Sequence, residues 1–301
     1  MQRPRVLVTV ALLCAIGAGL ISAAAIASNA YRWIAVQHIT EIPHNPLMTL
    51  ATTPVPSPPD QASAAAKVTQ AMHEVLPQAQ VGFEIFDRQK NTVVVNHDAG
   101  RQFASMSVVK LLIALDALAS DNWTPPDDGT RQKLHQMLAD SNDDIASNLW
   151  TANGGPAIVT RMAGLLGLTG TQPPENPSRW GNTLTTPHDV VTVYRYITDR
   201  IPGSSRDLLL GALADAQRIA EDGFDQYFGI PDAMPGTSWA IKQGWGTSGS
   251  QAVMLSTGLV GAELRYVVVV LASAPTDLYS SVPAVVTAGT DALADLIDPA
   301  I

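Results

Sequence analysis

Ser107 and Lys110 stand three residues apart at the head of the run Ser107-Val-Val-Lys110-Leu-Leu-Ile-Ala-Leu-Asp-Ala-Leu118. Side chains at that spacing share one helical face and meet. From Val108 to Leu118 almost every residue is apolar, and a helix apolar on all sides is a buried one. Lys110 is the one cation in the run. A buried amine must find partners or lose its proton. A neutral amine next to a hydroxyl can accept the hydroxyl proton, which turns the serine into a nucleophile. The same residues fit a plainer arrangement, with Ser107 capping the helix and Lys110 reaching out to solvent. Two other polar groups sit in suggestive places. Ser141-Asn142-Asp143 interrupts a helical stretch, and Lys242-Gln243-Gly244-Trp245-Gly246 opens a C-terminal group of strands. Taken alone, the first reads equally well as a helix cap and the second as a surface strand.

The elements around these groups follow from hydrophobic period and punctuation. Ala62 to Leu76 has helical spacing and stops at Pro77. Val81 to Phe86 alternates with period two, and a polar turn from Asp87 to Asn91 leads to a second strand, Thr92 to Asn96, making a hairpin. The buried helix from Ser107 runs to about Ser120. Short helices are expected over Arg131–Ala139, Ile145–Thr151 and Ala157–Leu168, and Thr169 to Leu184 is irregular and long for a loop. Thr186, Pro187 and Asp189 start a helix that runs to Asp199, with Asp189 at the capping-box position. Another helix is expected over Asp207–Ala220. Three strands follow, Trp239–Gly244, Ala252–Val260 and a valine-rich, central Tyr266–Ala272, before a helix over Ser281–Ile297. Strands at both ends of a helical middle predict an α+β fold. An antiparallel sheet is flanked by N- and C-terminal helices, with an all-helical insertion over about 120–237.

Residues 1–27 predict a signal peptide or a single-span anchor: Arg3 and Arg5 precede a charge-free apolar run from Val6 to Ala27 that ends in Ala25-Ile-Ala27. Either form exports the remainder. Cys14 is the sole cysteine and follows Leu13, where a lipidation signal wants a small residue, so lipidation is not expected. Residues 28–60 predict a proline-rich extracytoplasmic linker, and 61–301 the globular domain. That domain has no cysteine, so neither a disulfide nor a thiolate metal site is available to it. The net charge of −9 argues against nucleic acid or an anionic membrane surface as a partner. A Ser-His-Asp esterase is disfavoured too, because no Gly-x-Ser-x-Gly elbow is present and His73, His97, His135 and His188 lack a motif context.

Ser107-x-x-Lys110, then Ser141-Asn142-Asp143, then Lys242-Gln243-Gly244 occur in the order Ser-x-x-Lys, Ser-x-Asn, Lys-[Ser/Thr]-Gly. From residue 62 onward the chain therefore resembles the penicillin-recognising serine hydrolases, the class A β-lactamases and penicillin-binding D,D-peptidases. The resemblance implies Ser107 as nucleophile and Lys110 as base. It implies Ser141 as proton donor to the leaving nitrogen, and Lys242 as holder of a substrate carboxylate and partner of Ser141. The backbone N–H groups of Ser107 and Trp245 would form the oxyanion hole, and Asp143, Gln243 and Gly244 would border the substrate. Two positions depart from the pattern. An ionised Asp143 cannot donate to a substrate amide as Asn does, and it is placed to hold Lys110 charged. Gln243 replaces a small hydroxyl residue. Glu175 is the acidic candidate for a deacylation base, without the expected surroundings. The implied activity is acyl-enzyme chemistry on peptidoglycan D-alanyl peptides or β-lactams, by a monomer without cofactor or metal, with slow or absent β-lactam turnover. The alternative is a lactamase-fold protein of impaired catalysis that binds wall fragments or a partner protein.

Overall fold

The computed structural model describes residues 61–297. The expected leader over 1–27, Cys14 and the linker over 28–60 lie outside the described residues. The elements run α1 (Gln61–Val75), β1 (Gln80–Asp87), β2 (Thr92–His97), β3 (Phe103–Ala104), α2 (Lys110–Ser120), α3 (Asp128–Ala139), α4 (Asp143–Ala152), α5 (Pro156–Leu166) and β4 (Leu184–Thr185). They continue α6 (Pro187–Asp199), α7 (Gly203–Ala214), α8 (Ile230–Ala233), β5 (Trp239–Ile241), β6 (Gly244–Ser248), β7 (Gln251–Val260), β8 (Tyr266–Pro275) and α9 (Val282–Ala294). The main sheet is antiparallel in the order β2-β1-β8-β7-β5, with β6 also paired to β7. This is the α+β arrangement expected from the sequence.

The valine-rich β8 is central, between β1 and β7. Alternate residues of a strand face opposite sides, and here both sides are core. Val267, Val269 and Leu271 join the cluster under the helical layer, while Val268, Val270 and Ala272 join the cluster under α1 and α9. The buried helix α2 sits in the first of these clusters, with Leu111 to Leu115 and Leu118 all buried.

Local differences from the sequence reading have physical causes. The expected strand over Trp239–Gly244 is split into β5 and β6. The register with β7 carries through, from Ile241↔Gly258 to Gly244↔Leu255. At the break, however, the Gln243 side-chain oxygen accepts the Thr257 N–H at 3.1 Å. The helix expected over Asp207–Ala220 ends at Ala214, and Gln226 fastens the following turn by donating to Ala139 and Gln217 carbonyls. Thr186 does cap α6, accepting from the Asp189 N–H at 3.1 Å. The Asp189 carboxylate does not return the bond, as a capping box would. It accepts from Thr169 N, Gly170 N and Thr171 Oγ1 and so ties the long loop over 169–184 to the helix.

Candidate active site

Ser107 reaches the cleft through a strained turn. The β3–β4 pair and the Ser105 N–H to Thr183 carbonyl bond, 2.7 Å, hold the approach. Met106 then adopts φ +46° and opens a single 3-10 turn, Met106–Val109, that feeds α2. Positive φ on an unbranched non-glycine residue is uncommon and needs its surroundings to hold it. Those surroundings are close glycines. A Cβ on Gly246 would stand 2.9 Å from Met106 Sδ, and one on Gly181 3.6 Å from Met106 Cα.

Ser141 occupies the break between α3 and α4, also at positive φ, +55°. The cap of α4 is Asn142, whose Oδ1 accepts the Ile145 N–H at 2.8 Å. With that task taken, the Ser141 side chain is free to face the cleft, and Asp143 begins the helix beside it.

The four polar side chains converge. Lys110 Nζ lies 2.9 Å from Ser107 Oγ, 3.0 Å from Ser141 Oγ, 2.7 Å from the Ser141 carbonyl and 2.6 Å from Asp143 Oδ1. Lys242 Nζ donates to Ser141 Oγ at 3.0 Å from the other side and to its neighbour's carbonyl, Gln243 O, at 3.1 Å. Lys110 is fully buried and Lys242 nearly so. Burial pushes both amines below the usual lysine range. Asp143 partly offsets this for Lys110, whereas the Lys110 charge pushes Lys242 further down. Two ammonium groups on one buried serine oxygen repel each other, which disfavours charging both. The ion pair with Asp143 favours Lys110 as the charged partner. Lys242 has no carboxylate within 4.0 Å among the described residues.

The cleft beside these groups encloses about 440 Å³ and is lined by Ser107, Asp143, Trp180, Asp222, Trp245 and Tyr279, among others. Trp180 lies over Lys110 at 4.9 Å, and its Nε1–H donates to Ser147 Oγ of α4.

Three expected site residues are placed differently. Gln243 is fully buried on the far side of the strand break. Its amide donates to the Phe228 and Gln226 carbonyls at 2.6 and 3.3 Å, so it fastens the approach to α8 and does not border the cleft. Gly244 is also buried: a Cβ there would stand 2.9 Å from the Ser105 carbonyl oxygen and 3.2 Å from Met106 Cβ. Its missing side chain lets β6 lie against the nucleophile turn. Glu175 is exposed and outside the cleft lining, which takes Ser178 to Asn182 from the same loop. Sequence reasoning did not single out Trp180, Asp222 or Tyr279. Trp180 and Tyr279 lie in short 3-10 turns and Asp222 in the loop after α7, and none of the three segments carries a motif.

No family model matches the chain. The fold is that of the serine β-lactamases and penicillin-binding proteins. The TLA-1 extended-spectrum β-lactamase superposes with a TM-score of 0.66 at 14% identity, covering 78% of this chain and 98% of that one. A β-lactamase from Chitinophaga pinensis gives 0.63 at 16%, covering 77% and 98%. PBP-A, solved as an acyl-enzyme complex with penicillin G, gives 0.57 at 18%, covering 76% and 97%. Within that class the chain belongs to the family of the mycobacterial protein described as "Putative lipoprotein LppW". It is 34% identical to the LppW of Mycobacterium tuberculosis and of Mycobacterium bovis over 221 residues, which is 70% of this chain and 69% of each relative.

Proposed function

We propose that this protein is an exported serine acyl-enzyme that takes peptidoglycan D-alanyl peptides or β-lactams and releases the acyl group slowly. The observation that carries the reading is the 2.9 Å contact between Lys110 Nζ and Ser107 Oγ, with a second buried lysine, Lys242, beside them. Ser107 Oγ attacks the substrate carbonyl carbon while its proton passes to Lys110 in the amine form, the state reached when Lys242, and not the resting Asp143-paired Lys110, carries the charge. The oxyanion is received by the Ser107 and Trp245 backbone N–H groups. Ser141, bridged to both lysines, hands a proton to the leaving nitrogen, and Lys242 replaces it. Release is slow because Glu175 lies outside the cleft lining and the Asp143 carboxylate is engaged by Lys110. The apolar N-terminal run carries the domain out of the cytoplasm and holds it at the membrane or is cleaved, in keeping with relatives named as lipoproteins. Incubating the soluble domain with benzylpenicillin and mapping its peptides by mass spectrometry will find one acyl adduct, on Ser107, that persists while nitrocefin turnover stays slow. A missing adduct, an adduct elsewhere or rapid nitrocefin hydrolysis defeats the reading.

The Lys110–Asp143 ion pair, 2.6 Å, favours the second reading, a binding protein with impaired catalysis. Asp143→Asn discriminates. Removing the carboxylate lowers the Lys110 pKa, so the neutral amine exists at lower pH. The rising limb of acylation against pH will move to lower pH, and the rate at pH 7 will rise about tenfold, kept modest because Asp143 is half exposed. An unchanged profile shows that the pair does not restrain the base.

A further inference from the structure

The cleft carries a carboxylate, Asp222, that takes no proton in the chemistry above, although its charge favours the charged forms of Lys110 and Lys242. Asp222 lines the cleft beside Trp245 and Tyr279. Its two oxygens are already oriented: Oδ1 accepts the Phe224 N–H at 3.0 Å and Oδ2 the Trp245 Nε1–H at 2.9 Å. Trp245 is itself held by the Phe224 ring, stacked at 4.9 Å and 11°, and Phe224 meets Tyr279 edge-on. The Asp222 charge is close enough to Tyr279 to help burial raise that hydroxyl's pKa. An ionised carboxylate has about four acceptor sites, so two remain open. Unlike Asp143, Asp222 has no cation within 4.0 Å among the described residues. The same cleft also presents a cation, Arg179.

The Trp245 ring already meets Phe224 and, at 5.8 Å, Lys242 Nζ, so a ligand ammonium is matched by a charge-assisted hydrogen bond to the fixed Asp222 carboxylate with the Tyr279 ring beside it. The geometry points to a subsite for a cationic ligand group. We propose that Asp222, Trp245 and Tyr279 select acyl donors bearing a primary ammonium, with the cationic end of the ligand turned toward Asp222 and away from Arg179. The proposal rests on the reading of this cleft as an acyl-donor site.

The test compares benzylpenicillin with its α-amino derivative, two probes that share a scaffold and differ by one ammonium. Acylation rates will be measured in the wild type and in Asp222→Asn. Binding will be measured by tryptophan fluorescence in Ser107→Ala, with and without Asp222→Asn. Wild type is expected to prefer the α-amino compound about tenfold. The preference is expected to shrink as salt rises and to fall to about one in Asp222→Asn, in both measurements. Equal handling of the two compounds by the wild type, or a preference that survives Asp222→Asn, overturns the proposal. Preferential binding to Ser107→Ala without acylation of the wild type supports the subsite and defeats the acyl-enzyme reading instead.

Discussion

Lys110→Met will lower the rate of acylation by benzylpenicillin about a thousandfold, within the range of general-base losses, while leaving the melting temperature unchanged or raised. The two effects separate because one amine serves chemistry and burdens the fold. Nζ is within reach of the Ser107, Ser141 and Asp143 side-chain oxygens, yet the residue is fully buried in the helical core. Methionine fills a similar volume and spares the fold the desolvation of a buried amine. The partner left behind, Asp143, is 57% exposed and is hydrated by solvent. Stopped-flow acylation and thermal melts of the same preparation check both halves. Acylation within tenfold of the wild type would exclude Lys110 as the base.

Asp87→Ala will destabilise the domain by about 3 kcal/mol, the cost of removing one partner of a buried pair. For a domain of this size that lowers the melting temperature by about 10 °C. Asp87 is buried at the end of β1, where it receives Arg265 Nη2 at 2.6 Å and Nε at 3.1 Å. It also accepts the Gln89 and Lys90 N–H groups of the hairpin turn. One carboxylate thus closes the β1–β2 turn and ties it to the start of β8. The Arg265 hydrogen bonds, chief among these contacts, hold the Asp87 carboxyl below the usual carboxylate range. A lowered folded pKa contributes stability above the unfolded value, about 3.9, that is lost as pH falls through the folded one. The gap in melting temperature between variant and wild type will therefore narrow below about pH 4. A gap under 3 °C at pH 7, or one that widens in acid, contradicts this account.

Much of the fold was legible in local pattern. The hairpin, the helix start at Thr186-Pro187 and the central valine strand follow from period two or from a cap, and the burial of most of α2 follows from its being apolar on every side. The polar groups of the site could be located for the same reason, since Ser107 and Lys110 meet one turn apart and Ser141 marks a helix break. Pattern misled where a side chain replaced backbone. Gln243 took over a strand hydrogen bond, and Asp189 capped a loop and not its own helix.

The sequence by itself determined the main succession of helices and strands, the apolar run around Lys110 and the presence of a serine one turn before it, because these depend on neighbours within a few residues. Only the tertiary structure decided that Asp143 rather than bulk water completes the Lys110 shell, and that Gln243 and Gly244 serve the scaffold. It alone decided that Trp180, Asp222 and Tyr279 join one cleft, because those outcomes turn on how three motif-free segments pack against the Met106 turn. Contacts between distant segments leave no period in the chain, so no local pattern could announce them.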